Sequence, residues 1–177
     1  MRTIKIFDDK NYQSDWKKYK RDSARAIIFC ENKLVMIKSE KFGEYKFPGG
    51  GIALNETHLD TLIRETKEET GLHIRPDTVK EYGRTLNLRK STNENEIFEQ
   101  ESFYYSCDID PEISSQPELD EGYEQEYGYK LVYATLEEAI AANEKLTNIP
   151  GIPWVERDLT ILYELHESRK NKATGKY

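Results

Sequence analysis

A chain of 177 residues, 33% of them charged and 37% hydrophobic, has material for one packed core. Its mean hydropathy is −0.83, and no apolar run comes near the roughly 18 residues that span a bilayer. A net charge of −7 and a pI near 5.2 argue against a protein that grips nucleic acid by neutralising phosphates, though a small anion held through a divalent cation stays open. The first residues lack the apolar stretch of a signal peptide, so the expectation is a cytoplasmic protein with no membrane partner. We expect one domain, with 1–21 as an N-terminal extension and about 22–170 as the core.

Taken in chain order, Met1 to Asp8 alternates like a strand, and Asn11 to Lys20 is polar around Trp16. Arg25 to Cys30 and Leu34 to Lys38, separated by Glu31-Asn32-Lys33, predict two strands joined by a short hairpin. Pro48-Gly49-Gly50-Gly51 predicts a turn. Leu59, Leu62, Ile63 and Thr66 recur at helical spacing, which predicts an amphipathic helix over about Thr57 to Thr70, stopped by Gly71. Strands follow near Glu81 to Arg89, Phe98 to Asp108 and Tyr129 to Tyr133, while Asp110 to Glu126, rich in acidic residues, proline and serine, reads as a long loop. Thr135 and Glu138 have capping-box spacing ahead of a helix over about Leu136 to Leu146. A last helix from about Trp154 to Arg169 carries Val155, Leu159, Leu162 and Leu165. Strands interspersed with helices predict a layered sheet covered by helices on both faces. Cys30 and Cys107 sit in apolar, strand-like runs and read as small buried hydrophobes.

The chemistry concentrates around the predicted first helix. At about 100° per residue, Glu65, Glu68 and Glu69 fall within an arc of roughly 100° on one helix face. Like charges that close cost a few tenths of a kcal/mol per pair. A hard cation turns that repulsion into coordination, since Mg²⁺ takes carboxylate oxygens together with phosphate oxygens. The glycines before the helix let backbone approach a ligand and can present carbonyl oxygens or N–H groups to it. Three glutamates alone read as solvated surface. The wider pattern, seven specified residues at fixed spacing, has a chance probability on the order of 10⁻⁸ per start position.

That pattern is Gly50, five residues, Glu56, seven residues, then Arg64-Glu65-Thr66-Lys67-Glu68-Glu69-Thr70-Gly71-Leu72. It resembles the Nudix box. The one departure is Thr66, where the family has an aliphatic residue and where a threonine methyl can still face the core. Ala53 and Asn55 also differ from residues often found there, outside the strict pattern. Looser likeness runs from Arg25 through Phe47-Pro48-Gly49-Gly50 to the run Tyr133 to Ala139.

The resemblance implies an α+β fold, an α/β/α sandwich with a mixed sheet between helices. It implies a hydrolase that cleaves a phosphoanhydride bond in a nucleoside diphosphate derivative with Mg²⁺ or Mn²⁺. By the same resemblance Glu65, Glu68 and Glu69, with a backbone carbonyl of the glycine loop at Gly50, would bind the metal, and Glu56 and Arg64 would brace loop against helix. The base would be Glu68, or Glu124 or Glu126 in a later loop. Arg25 and Lys38 flank the predicted pocket strands and are candidates for holding phosphate; Tyr45, Phe103, Tyr104 and Tyr105 can stack on a base or serve the core. His58, His73 and His166 are scattered, and the carboxylates suffice without them. ADP-ribose hydrolases of the family carry a proline shortly past the box, and no proline lies between Pro76 and Pro111 here. Coenzyme A hydrolases carry an upstream arginine signature, and Leu34 to Phe47 has no arginine. Nucleoside triphosphates and nucleotide sugars stay open, as does a homodimer. A non-catalytic nucleotide sensor is the alternative reading, and RNA processing is disfavoured by the acidic charge.

Overall fold

The run from Arg25 to Cys30, which reads as one strand, divides at Ile28. The computed structural model describes residues 1–118, 126–147 and 149–174. It contains two compact units, Met1–Ile28 with Pro48–Pro117 and Phe29–Phe47 with Glu118–Tyr177, and one crossing between them falls inside that run. In chain order the elements begin with β1 (Thr3–Asp8), β2 (Lys17–Lys20), β3 (Ser23–Ile27), β4 (Phe29–Cys30), β5 (Lys33–Ser39), β6 (Tyr45–Lys46) and β7 (Gly49–Gly51). They continue with α1 (His58–Thr70), β8 (Leu72–Ile74), β9 (Lys80–Lys90), β10 (Glu96–Ser106), β11 (Ile109–Ser114), β12 (Tyr129–Ala134), α2 (Leu136–Glu144) and α3 (Val155–Thr174). The class is α+β with a mixed sheet, as the order of elements predicts.

In the first unit the sheet runs β1-β9-β10-β3-β7, with β2 also beside β10. The β1·β9 and β10·β3 pairs are parallel, and the β9·β10 and β3·β7 pairs antiparallel. Strands β2 and β3 lie end to end along one edge of β10, Lys17–Lys20 against Glu96–Glu99 and Ser23–Ile27 against Ser102–Ser106. Residues 1–21, expected as an extension, therefore supply two strands of this sheet. The three glycines, expected as a turn, form a short edge strand on β3. Register puts Ser23, Ser102 and Thr85 on one face, all buried, with a hydrogen bond of 3.0 Å from Ser23 Oγ to Ser102 Oγ. The other face carries Phe103 and Tyr105 beneath the start of α1: the His58 ring lies 4.3 Å from Phe103, and its Nδ1 is 2.6 Å from the Tyr105 hydroxyl.

Helix α1 begins where Thr57 caps it. Asp60 N–H donates to Thr57 Oγ1 at 3.1 Å and Thr57 N–H donates to Asp60 Oδ2 at 3.0 Å, which satisfies two of the N–H groups left open at a helix start. Its inward residues are Thr61, Leu62, Thr66, Glu69 and Thr70, whereas Leu59, read as part of the apolar stripe, is exposed. Several of the polar groups it turns toward the glycine strand find partners, as Thr70 Oγ1 does by donating to Thr66 O at 2.5 Å, while the buried Thr66 hydroxyl has none among the described residues. Gly71 ends the helix in the left-handed region, φ 71°, with its N–H donating to Lys67 O at 2.8 Å.

Part of Asp110 to Glu126, read as a loop, is strand β11, antiparallel to β8. Composition misleads there because β11 lies at the edge of a two-stranded sheet, where a proline such as Pro111 and exposed acidic side chains are tolerated. In the second unit β5 pairs with β4, β6 and β12. The hairpin predicted for Arg25 to Lys38 is thus confined to β4 and β5. Leu34, Val35, Met36 and Ile37 are buried along β5, and Ile140, Val155, Ile161 and Leu162 are buried on α2 and α3, which pack together. Helix α2 ends at Glu144, short of Leu146, and α3 runs past Arg169. Both cysteines are free; Cys107 is buried and its thiol is pushed up to about 12 by that burial, while Cys30 is half-buried. Among the described residues no helix is long and apolar enough to cross a membrane.

A side chain at Gly71 would place its Cβ 2.0 Å from Ser115 O as well as forcing an unfavourable φ. Gly71→Ala should therefore lower unfolding stability by about 2 kcal/mol or more, read from the midpoint of a urea melt.

Candidate active site

The residues of the box meet where β7 leads into α1. Arg64 holds Glu56 through two parallel bonds, Nε to Oε1 at 2.6 Å and Nη2 to Oε2 at 2.8 Å. This is the fork geometry that a guanidinium offers a carboxylate. Thr61 Oγ1 donates to Glu56 Oε2 at 2.7 Å and Ala53 N–H donates to it at 3.2 Å. The hydrogen bonds from Arg64, then from Thr61, hold the Glu56 carboxyl down to about 2. Arg64 Nη1 also donates to Glu65 Oε1 at 2.8 Å and to Glu68 Oε2 at 3.0 Å. One guanidinium thus joins three carboxylates, and the pairing raises its own pKa further above the ordinary arginine range. Glu65 moves the other way from Glu56: burial, then the neighbouring charge of Glu69, push its carboxyl above the usual range against the pull of Arg64.

The glycine strand closes on these groups. A Cβ at Gly50 would stand 2.4 Å from the Glu65 carboxyl, so only a glycine leaves that carboxyl its place. Glu69 is buried, and its Oε2 accepts the Gly49 N–H at 2.7 Å. Arg25 Nη1 donates to Gly49 O at 2.6 Å. Both backbone groups of Gly49 are therefore tied to charged side chains.

Oxygen donors from Glu65 and Glu68 can lie no further apart than the two bonds to Arg64 Nη1 allow, and they are hard ligands of the kind Mg²⁺ and Mn²⁺ select. Among the described residues, however, no three carboxylate, imidazole or thiol groups stand as a ready-made cage for a metal ion. The third glutamate of the expected trio, Glu69, turns to Gly49 instead.

Other residues singled out from sequence belong to other elements. Lys38 and Tyr45 belong to the second unit, where the Lys38 ammonium stands 5.0 Å over the Tyr45 ring. Asn143 clamps Tyr45 from both sides, its Oδ1 accepting Tyr45 N–H at 2.8 Å and its Nδ2 donating to Tyr45 O at 2.9 Å. Glu126 pairs with Lys41 at 2.5 Å. Glu124 lies outside the described residues. Tyr104 is a core residue, and His58 contacts Phe103 and Tyr105 at the helix start. Sequence reasoning missed Thr61, and it offered the glycine N–H groups to a ligand where Gly49 N–H bonds Glu69. Thr61 was open to discovery, since it precedes Arg64 by three residues and so shares its helix face.

The sequence from residue 20 to 155 matches the model of the NUDIX domain, and the chain belongs to that family. Among curated proteins, a probable DHNTP pyrophosphohydrolase of Lactococcus lactis subsp. cremoris is 38% identical over 74 residues, which cover 40% of this chain and 44% of that protein. The match thus spans less than half the length of that relative. Among solved structures, the MutT mutator protein of Bacillus halodurans superimposes with a TM-score of 0.52 at 20% identity over 69% of this chain and 72% of that one. An ADP compounds hydrolase superimposes with a TM-score of 0.53 at 18% identity over 89% and 76%. These structural likenesses establish a shared fold.

The Arg64–Glu56 contact makes two predictions. Because Glu56 is depressed in the folded state, its stabilisation is fully present above the ordinary glutamate value of about 4.3 and is lost as pH falls from there toward about 2. Melting temperature measured across that window should fall less steeply in Glu56→Gln than in the native protein. Arg64→Lys keeps the charge but loses the fork, so it should destabilise. Combined with Glu56→Gln, it should cost clearly less than the two single losses together; additive losses in denaturant melts would show that the contact carries no stability.

Proposed function

We propose that this chain is a metal-dependent hydrolase that cleaves the phosphoanhydride bond of a nucleoside diphosphate derivative. The observation that carries the reading is the joining of Glu65 and Glu68 by one cationic nitrogen beside a strand stripped of side chains. A position where a positive group already bridges two carboxylates suits a hard cation with an anionic ligand. Glu65, Glu68 and Glu69, with the Gly50 carbonyl, would hold Mg²⁺ or Mn²⁺. When bound, the ion supplies charge neutralisation for the diphosphate and a more acidic water. Glu69 would have to leave, or share, its bond to Gly49.

The residues of the chain divide the remaining work. Arg64 and Glu56 keep the loop and α1 in fixed relation and leave the carboxylates of Glu65 and Glu68 aimed the same way. Glu68 is the more exposed of those two and is our choice for the group that accepts the proton of the attacking water. Glu126, paired with Lys41, and Glu124 are the other candidates. Arg25, already on the glycine strand, would meet substrate phosphate. The names of the relatives, a DHNTP pyrophosphohydrolase and an ADP compounds hydrolase, favour a small nucleotide-like substrate. We place the whole of this activity in one cytoplasmic domain, 1–177, and leave a homodimer as its assembly to be measured.

A panel of nucleoside triphosphates, nucleotide sugars, dinucleoside polyphosphates, ADP-ribose and coenzyme A with Mg²⁺ or Mn²⁺ tests the reading. Turnover should vanish in EDTA and return with either metal; persistence in chelator would sink the metal assignment, and tight nucleotide binding without turnover would favour a sensor. Glu69→Gln can still accept the Gly49 N–H but lacks charge, so turnover should fall at least about a hundredfold while the melting temperature holds. An unchanged rate at saturating metal would remove Glu69 from the ligand set.

A further inference from the structure

Between β2 and β3 lies a joint of two residues, Arg21 and Asp22, which the box does not include. Arg21 N–H donates to Glu99 O at 3.0 Å, Asp22 O accepts the Ile52 N–H at 2.9 Å, and Asp22 Oδ1 accepts the Glu101 N–H at 3.1 Å. The joint is therefore tied on one side to β10 and on the other to the residue that follows the glycine strand.

From this anchored position the Arg21 side chain lies across Gly51. Its Nε is 3.5 Å, and its Nη2 3.9 Å, from the point that a Cβ on Gly51 would occupy. Those are ordinary contact distances, and the φ of Gly51 is one that other residues adopt. Nothing in the backbone demands a glycine there. A side chain at Gly51 would touch the Arg21 guanidinium, which its absence leaves uncovered on that side. Register places Ser23 opposite Gly51 and Arg25 opposite Gly49, and Arg25 bonds the Gly49 carbonyl. Arg21 and Arg25 thus attend the two ends of one bare strand, at positions about 7 Å apart along it.

The charge around Arg21 is equally specific. Acidic residues outnumber basic ones by 33 to 26 in this chain, yet among the described residues the exposed Arg21 has no ion-pair partner. The acid nearest in register, Glu99, is taken by Lys18 at 2.5 Å and Lys20 at 3.0 Å. The charge of Arg25 is felt at the Glu65 carboxyl, where it favours the ionised form.

We propose that Arg21 binds substrate phosphate, holding the diphosphate group along Gly49–Gly51 together with Arg25. This rests on the hydrolase reading above and extends it to a residue at the joint between β2 and β3, outside the box.

The test uses the full chain and inorganic diphosphate with Mg²⁺ as the probe, titrated by calorimetry. Arg21→Gln should weaken diphosphate binding about tenfold or more, with the melting temperature unchanged. The double variant Arg21→Gln with Gly51→Lys, which sets an ammonium in the vacated space, should recover most of that loss. On the best substrate of the panel, Arg21→Gln should raise KM about tenfold while kcat stays within about twofold. Equal diphosphate affinity in Arg21→Gln and the native protein would overturn the proposal, as would absence of diphosphate binding by the native protein. A loss that comes with a lowered melting temperature and is not recovered by Gly51→Lys would also overturn it, by assigning Arg21 to structure. Turnover of the panel by the native protein is judged separately, so a failed Arg21 test leaves the hydrolase reading standing.

Discussion

Crowding of like charge is the constraint around which the first unit is arranged. Glu56, Glu65, Glu68 and Glu69 all lie at or near the junction of loop and helix, and a single guanidinium, Arg64, answers three of them. The fourth is answered by a backbone N–H. A lysine in place of Arg64 could offer one point charge but not a planar fork on Glu56 together with a third nitrogen for Glu65 and Glu68. Because Glu56 closes the loop and Glu65 lies against Gly50, the path of the glycine strand, the pitch of α1 and the aim of the carboxylates are one coupled arrangement.

The elements that local chemistry specifies were legible. Thr57 and Gly71 bracket α1 through capping groups only a few residues away, and Thr135 with Glu138 starts α2 in the same manner. What depends on distant partners was not. Alternation identifies a strand without saying what it pairs with, so Arg25 to Cys30 could be assigned to a local hairpin when its first residues belong to Ser23–Ile27, whose partner is Ser102–Ser106. The edge strand β11 was hidden by its proline and acidic residues. At the site, spacing alone placed Glu65, Glu68 and Glu69 on one helix face. It could not show that Glu69 is the buried one, because that follows from which side of α1 meets the glycine strand.

The site also shows how one residue type serves opposite ends. Gly71 is needed for its φ and Gly50 for the space its side chain would take from Glu65. Glutamate is as varied: Glu56 is strongly acidified by its partners, while Glu65 is made a weaker acid by burial and by Glu69. A motif written in single letters records neither distinction. Both arise from which neighbours the fold brings within a few ångströms.

The parallel pairing of β1 with β9 has a bearing on how the chain is made. Thr3 meets Arg84, and Lys17 meets Glu96, so these residues leave the ribosome some eighty positions ahead of their partners. At about 5–20 residues per second those partners arrive roughly 4–16 s later. Antiparallel β9 and β10, joined by a short turn, are the natural platform to form first, with β1 and β2 held in waiting and then laid along its two outer edges. Assembly of this sheet therefore runs outward from its middle, against the order in which the strands are written.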